Sequence, residues 1–324
     1  MTRSIDIARI EAAKGLIDPV FLDSPLVGHA ALDAALGCEV LAKVETLNPI
    51  RSFKGRGTEL FAAQELRAGD RLVCASAGNF GQGLARAAVR RGAECVVFAA
   101  LTANPLKVEA MRRLGATVRL EGHDFDAAKA AARLFAAESG LRFVEDGREP
   151  AIAEGAGTIG LEIASQAPGI GTVLVPLGNG ALLAGVAAAL RHAAPGAEVL
   201  GVVAARAPSM KLSLEQGRAV ETAEAATIAD GIAVRVPVPE ALEMLRGRVD
   251  GILAVEEEGI LRAMRLLHET LGLVVEPSGA VGIAAMLADP GRFGGQRVAT
   301  ILCGGNLTPQ QVRDWLVPAG TAVP

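Results

Sequence analysis

Short apolar runs alternate with helical stretches along nearly the whole of this 324-residue chain, and a glycine-rich turn follows several of the runs. Few folds accommodate that pattern. A short apolar run without polar alternation is buried on both faces, and a helix between two such runs returns the second strand parallel to the first. Strands are expected over 40–44, 71–75, 94–99, 117–120, 141–144, 172–175, 199–203, 252–255 and 297–302, with a short extended piece at 25–27. Helices are expected over 5–15, 52–68, 105–114, 126–139, 154–165, 182–190, 258–270 and 278–288, and from the turn at 76–81 through Arg91. The expected fold is α/β, with two domains that each carry a mainly parallel sheet flanked by helices. Residues 1–69 and 147–324 form the large domain, and a small βαβ domain, residues 70–146, is inserted in it. No internal repeat, low-complexity tract or long linker interrupts the pattern.

Composition narrows the classes of partner. Hydrophobic residues make up 51% and charged residues 21%, as in a packed globular protein. Aromatics are 3%, with no tyrosine, which removes the stacking platforms that single-stranded nucleic acid requires. A net charge of −4 gives no basic footprint, so no nucleic-acid partner is expected. Residues 172–190 are free of charge, but Pro176 and Gly178-Asn179-Gly180 break any continuous helix, so a buried strand, a turn and a buried helix are expected rather than a membrane span. The four cysteines, Cys38, Cys74, Cys95 and Cys303, are far apart and form no CxxC pair. With no signal peptide, they read as reduced thiols of a cytoplasmic protein.

Chemistry concentrates in one lysine and four turns. Asn48-Pro49 marks a turn, because the residue before proline is pushed out of helical conformation. Ser52 is expected to cap the helix that follows and Lys54 to lie on its first turn. The N-terminal end of a helix carries partial positive charge, which disfavours an ammonium there and suits an amine to Schiff-base chemistry. Taken alone, a lysine between Phe53 and Gly55 is as readily a solvated surface charge. Two turns, Ser76-Ala77-Gly78-Asn79-Phe80-Gly81-Gln82 and Pro176-Leu177-Gly178-Asn179-Gly180-Ala181-Leu182, lead from strand to helix and offer backbone N–H groups to a carboxylate or phosphate. Glu276-Pro277-Ser278-Gly279-Ala280 and Leu302-Cys303-Gly304-Gly305-Asn306 are the other two. Each alone is a tight connection. In a parallel sheet all of them fall beyond the carboxyl ends of strands, where ligands bind.

Taken together and in this order, these stretches, with Thr227-Ile228-Ala229-Asp230-Gly231-Ile232-Ala233-Val234, resemble the fold-type II pyridoxal-phosphate (PLP) enzymes, in particular the threonine/serine dehydratase group. They span residues 48–306, and the 227–234 stretch separates the chain from cysteine synthases and threonine synthases. The resemblance implies that Lys54 holds PLP as a Schiff base and later acts as base at the substrate Cα. It implies that Gly178, Asn179, Gly180 and Ala181, with Leu182 closing the loop, cradle the cofactor phosphate. Asn79 would hydrogen-bond the ring hydroxyl, Phe53 would pack near the ring, and Cys303 would face the pyridine nitrogen where the family usually has serine. Ser76, Ala77, Gly78, Asn79 and Phe80 would receive the substrate carboxylate.

Departures from the family pattern carry expectations of their own. Asn179 and Ala181 replace two glycines of the usual phosphate loop, and Phe80 replaces a common histidine, making that end of the pocket more apolar. Ala77 stands where related serine racemases have a second serine, which argues against racemisation. Gly201-Val202 is followed by Val203 rather than a glutamate, so no metal is expected there. The implied activity is β-elimination of water from a β-hydroxy-α-amino acid, threonine or serine, giving a 2-oxo acid and ammonia, in a homodimer or homotetramer. The alternatives are β-elimination or β-replacement on another amino acid such as 3-hydroxyaspartate or 2,3-diaminopropionate, or threonine synthase-like activity. Arg51 is the cation expected to meet a second carboxylate.

Overall fold

The computed structural model describes residues 4–76 and 78–317 and divides their strands between two sheets. In chain order the strands are β1 (Leu26–Val27), β2 (Glu39–Val44), β3 (Arg71–Ala75), β4 (Glu94–Ala99), β5 (Thr117–Leu120), β6 (Arg142–Phe143), β7 (Thr172–Pro176), β8 (Glu198–Ala204), β9 (Gly251–Val255) and β10 (Arg297–Leu302). Six of them form one sheet in the order β1-β2-β10-β7-β8-β9, parallel throughout except where β1 meets β2. The other four form a wholly parallel sheet in the order β5-β4-β3-β6.

The unbroken apolar runs have a direct structural cause. Successive side chains of a strand point to opposite faces, so both must be apolar when both faces are covered. In β7, Val173 and Val175 enter one core and Leu174 the other, and in β10 Ala299 and Ile301 are separated in the same way from Val298 and Leu302. β7 and β10 are neighbours inside the larger sheet, and every residue of β7 is buried.

Three helices lie close enough to require glycine at their contacts. A Cβ at Gly57 would clash with the carbonyl of Ile152, one at Gly155 with the carbonyl of Arg56, and one at Gly185 with the carbonyl of Ala153. These contacts lock the helices Lys54–Glu65, Pro150–Gln166 and Ala181–Ala193 together. A charged cluster is enclosed beside them. The fully buried Arg56 pairs with Glu45 and Glu162, and Lys43 pairs with Glu162 at 2.6 Å. The helix that begins at Lys54 is therefore anchored two residues further on by a buried ion network.

Several elements differ from expectation. The helix starts at Lys54 rather than Ser52; Phe53 is its N-terminal flanking residue, while the Ser52 hydroxyl accepts the Lys54 N–H at 3.4 Å. The short piece at 26–27 is a strand, antiparallel to β2. Among the described residues, five α-helices were not expected: Ala30–Leu36, Ser209–Gln216, Pro239–Leu245, Pro290–Phe293 and Pro309–Leu316.

Candidate active site

The turns that follow β2, β3, β6, β7 and β10 end at one cavity of about 840 Å³. Phe53, Lys54, Ser76, Gly78, Asn79, Phe80, Gly178, Asn179, Gly180, Ala181, Leu182 and Cys303 all line it. Ala77 lies outside the described residues. Segments more than two hundred residues apart in sequence thus meet because each sits at the carboxyl end of a parallel strand.

Lys54 is the first residue of its helix, and its Nζ enters the cavity. Its Nζ has a partner that the sequence did not show: it lies 2.6 Å from Asp146 Oδ2. It also lies 4.6 Å from the ring centre of Phe53 and 5.9 Å from that of Phe80. Asp146 Oδ1 is buried with no hydrogen-bond partner. The next residue, Gly147, has φ +87°, and a Cβ there would strike the carbonyl oxygen of Asn179. Asp146 is therefore held between the lysine and the glycine loop.

That loop is built for an anion. Gly180, at φ +96°, precedes the helix Ala181–Ala193, and no side chain caps the helix. Its first residues, Ala181 and Leu182, line the cavity at the positive end of the helix dipole. At the other turn, the Ser76 hydroxyl accepts the N–H groups of Gly78 (3.1 Å) and Gly81 (2.8 Å). The Gly78 amide, expected to meet a substrate carboxylate, is already engaged; the Ser76 O–H remains as a donor.

Asn79 is fixed from both sides. Its Nδ2 donates to Glu276 Oε1 at 2.7 Å, and its Oδ1 accepts from Asn306 Nδ2 at 2.8 Å. Burial pushes the Glu276 carboxyl above its ordinary range, with Lys107 opposing that rise. Lys107 pairs with Asp230 and packs against Gly78. Burial alone would lower its pKa, but Asp230 and Glu276 beside it hold it above the ordinary lysine value. Cys303 is buried, and its carbonyl accepts the Phe53 N–H at 3.0 Å. Burial, reinforced by Glu276, pushes the thiol well up, so it meets the cavity uncharged.

Arg51 is exposed and does not line the cavity, which corrects its expected role as a second-carboxylate cation. Sequence reasoning assigned no role to Asp146, Lys107, Asp230 or Glu276, although two of them lie in quoted stretches. For Asp146 a signal existed: Glu145-Asp146-Gly147 follows a strand and opens a helix, the same arrangement as the glycine turns. For Lys107, inside a helix, there was none.

The donors present fit PLP. They comprise a cavity-facing lysine, an uncapped helix N-terminus, a neutral thiol, and the buried, unpaired Ser278 Oγ in the cavity wall. Among the described residues, no group of three or more His, Cys, Asp or Glu could hold a metal.

Comparison with known proteins agrees with this geometry. Residues 17–304 match the family described as pyridoxal-phosphate dependent enzyme. The chain is 39% identical to an L-threonine ammonia-lyase of Geobacter sulfurreducens over 274 residues, covering 84% of this chain and 68% of the relative. It is 37% identical to an L-threonine ammonia-lyase of Thermotoga maritima over 307 residues, 94% of this chain and 76% of the other. The solved structure of the processed form of threonine deaminase isoform 2 from Solanum lycopersicum superimposes with a TM-score of 0.88 at 30% identity, over 95% of this chain and 85% of that one.

Proposed function

The chain belongs to the pyridoxal-phosphate dependent enzyme family, and from that premise we propose that it removes water and then ammonia from a β-hydroxy-α-amino acid. L-threonine gives 2-oxobutanoate and L-serine gives pyruvate. The observation that carries the reading is the convergence of Lys54, the 76–80 turn and the uncapped 178–182 loop on one cavity. The threonine ammonia-lyases among its relatives support it.

In this reading Lys54 would hold the cofactor, and Gly178, Asn179, Gly180, Ala181 and Leu182 would hold its phosphate. Asn79, Phe53 and Cys303 would receive its ring. Bound PLP supplies an electron sink that makes the substrate Cα–H acidic. Everything else falls to the chain. The Ser76 hydroxyl and the first amides of the helix Asn79–Arg90 receive the substrate carboxylate, with Lys107 behind Gly78 adding positive charge to that side. Fixing the carboxylate points the Cα hydrogen at Lys54, whose uncharged amine takes it. Phe53 and Phe80 flank the lysine and limit the water that reaches it. Glu276 and Asn306 hold Asn79 in one orientation.

The same reading takes residues 70–146 as a domain of their own, and the molecule as a cytoplasmic homodimer or homotetramer. No described helix is long and apolar enough to cross a membrane. Light scattering giving the mass of one chain would remove the oligomer from the reading.

The test is a visible absorption spectrum of the purified protein before and after L-threonine, alongside Lys54→Ala. The expected result is a yellow band, changed by threonine and altered in the variant, with 2-oxobutanoate formed about 10²–10⁴-fold more slowly by Lys54→Ala. A yellow protein whose spectrum ignores both threonine and serine would move the substrate elsewhere.

A further inference from the structure

Elimination of water has one proton to collect and one to deliver. Lys54 collects the proton at Cα, and the β-hydroxyl must receive one to leave as water rather than as hydroxide. A lysine that has taken the Cα proton is an ammonium, and its Nζ lies 2.6 Å from Asp146 Oδ2. Asp146 lines the same cavity. Its side chain is 12% exposed, while its Oδ1 is buried without a hydrogen-bond partner. Oδ2 is therefore the oxygen that deals both with the lysine and with whatever occupies the cavity.

Other proton carriers of the cavity wall are engaged or remote. Among the described residues, Lys107 and Lys129 are held by carboxylates, Glu276 accepts from Asn79 and Asn306, and His123 is exposed at the rim. The contact of Gly147 with Asn179 puts Asp146 on the glycine-loop side of the lysine, whereas Gly78 packs against Lys107 on the side of the carboxylate turn. A substrate held by its carboxylate at that turn and by its amine at the cofactor has Cβ and its hydroxyl left over. Cβ is one bond from the Cα whose hydrogen Lys54 must reach. A carboxylate in hydrogen-bond contact with Lys54 Nζ is thus within reach of the hydroxyl as well.

We propose that Asp146 is a catalytic residue of the elimination, carrying the proton that Lys54 takes from Cα on to the departing β-hydroxyl. The inference rests on the reading of the cavity as a β-elimination site and assigns the leaving-group step within it. The Cα–H bond breaks with its electron pair left on Cα and its proton on Lys54. The lysine ammonium passes a proton to Asp146 Oδ2 across their contact, and Oδ2 delivers it to the β-hydroxyl oxygen. The Cβ–O bond breaks with its pair on oxygen, the Cα pair forms the Cα–Cβ double bond, and water leaves. Lys54 is then an uncharged amine again and Asp146 a carboxylate, so the step needs no proton from solvent and no further reactant. The two residues are needed unequally. A group that departs as a stable anion needs the lysine and not the carboxylate.

The test compares L-serine with β-chloro-L-alanine, whose chloride leaves without a proton, on the holoenzymes of the wild type and Asp146→Asn. The expected result is a fall in kcat for serine of about 10²-fold or more in the variant, with turnover of β-chloro-L-alanine nearly unchanged. In heavy water the variant should also return serine carrying deuterium at Cα, read by NMR, because Lys54 still takes the Cα proton and, with elimination stalled, gives back a deuteron. Binding of α-methylserine, titrated by the visible band, should be alike in the two proteins and shows that the variant's site is formed. An equal fall for both substrates, or serine turnover unchanged in the variant, would overturn the inference and leave the β-elimination reading intact. A wild type that eliminates from neither serine nor threonine would overturn both. If the variant does not fold or does not bind α-methylserine, the wild type alone decides. Its kcat for serine should show a solvent deuterium isotope effect that is absent for β-chloro-L-alanine, and equal effects would overturn the inference.

Discussion

Glu276 shows how a site is set by groups that never reach the reacting atoms. Its Oε1 accepts from Asn79 and its Oε2 from the Asn306 amide, and Asn306 in turn holds the other end of Asn79. Removing an acceptor from so enclosed a donor costs about 1–3 kcal/mol, while replacing it by another acceptor does not. Glu276→Ala is therefore expected to lower kcat/KM for threonine about tenfold and to shift the visible band, as Asn79 turns away from the ring. Glu276→Gln keeps an amide oxygen for Asn79 and should recover most of both. The band matters because a purely structural role would lower the amount of folded protein and leave its absorption maximum where it was. Identical behaviour of the two variants would remove Glu276 from the positioning of Asn79.

The helix that presents Lys54 is held by the cluster of Arg56, Glu45, Glu162 and Lys43, and this gives acid stability a specific source. Burial alone would raise the Glu162 pKa, but hydrogen bonds and charge from Arg56, with Lys43, bring it below the ordinary value of 4.5. A depressed carboxylate contributes stability that is fully present above 4.5 and is lost as pH falls through the lower folded value. Denaturant midpoints measured from neutral pH downward should fall in that window, and Glu162→Gln should flatten the fall. The variant should also be about 3–5 kcal/mol less stable at neutral pH, because it takes from the buried Lys43 its carboxylate partner and leaves Arg56 with Glu45 alone; a parallel pH curve would show that other groups set acid stability. None of this was readable in the sequence, since Glu45, Arg56 and Glu162 have no local pattern that joins them. Strands were another matter: 71–75, 94–99 and 297–302 have the expected bounds because every position after the first is buried and, Thr300 apart, apolar, while 117–120 keeps its expected bounds as a largely exposed edge strand. Among the unexpected helices, Pro309–Leu316 did carry a signal. Thr308 and Gln311 form a reciprocal capping box, visible as a Thr-Pro-Gln-Gln stretch. The helices Ser209–Gln216 and Pro239–Leu245 are short and lie in a stretch without apolar strands, where periodicity has little to count. The glycine turns were readable because backbone geometry is local; the pairing of Lys54 with Asp146, ninety-two residues away, was not.

The cavity belongs to both sheets, and the segment 227–235 ties them across it. Asp230 reaches Lys107 on the helix Pro105–Arg113, and Arg235 reaches Asp126 on the helix Phe125–Glu138, so both pairs join one loop to helices that flank the four-stranded sheet. Lys107 is buried, but Asp230 is about half exposed, as is usual at a cavity rim. Ion pairs open to solvent contribute little to global stability and are screened by salt. Their effect should fall instead on how readily the two sheets hold the substrate between them. The double variant Asp230→Asn, Arg235→Gln is thus expected to keep its unfolding midpoint while raising KM for threonine several-fold. In the wild type, KM should climb with sodium chloride as the pairs are screened; in the double variant the climb should be shallower, because the charges being screened are gone. Equal salt slopes would mean that the loop is held by its apolar contacts, Ile232 and Ala229 in the core beneath it, and that the ion pairs only decorate the rim. The proposed domain boundary, at about 70 and 146, enters the same experiment: if the four-stranded sheet moves as a unit, limited proteolysis of the double variant should cut near those positions sooner than in the wild type, and threonine should slow the cutting in the wild type more than in the variant.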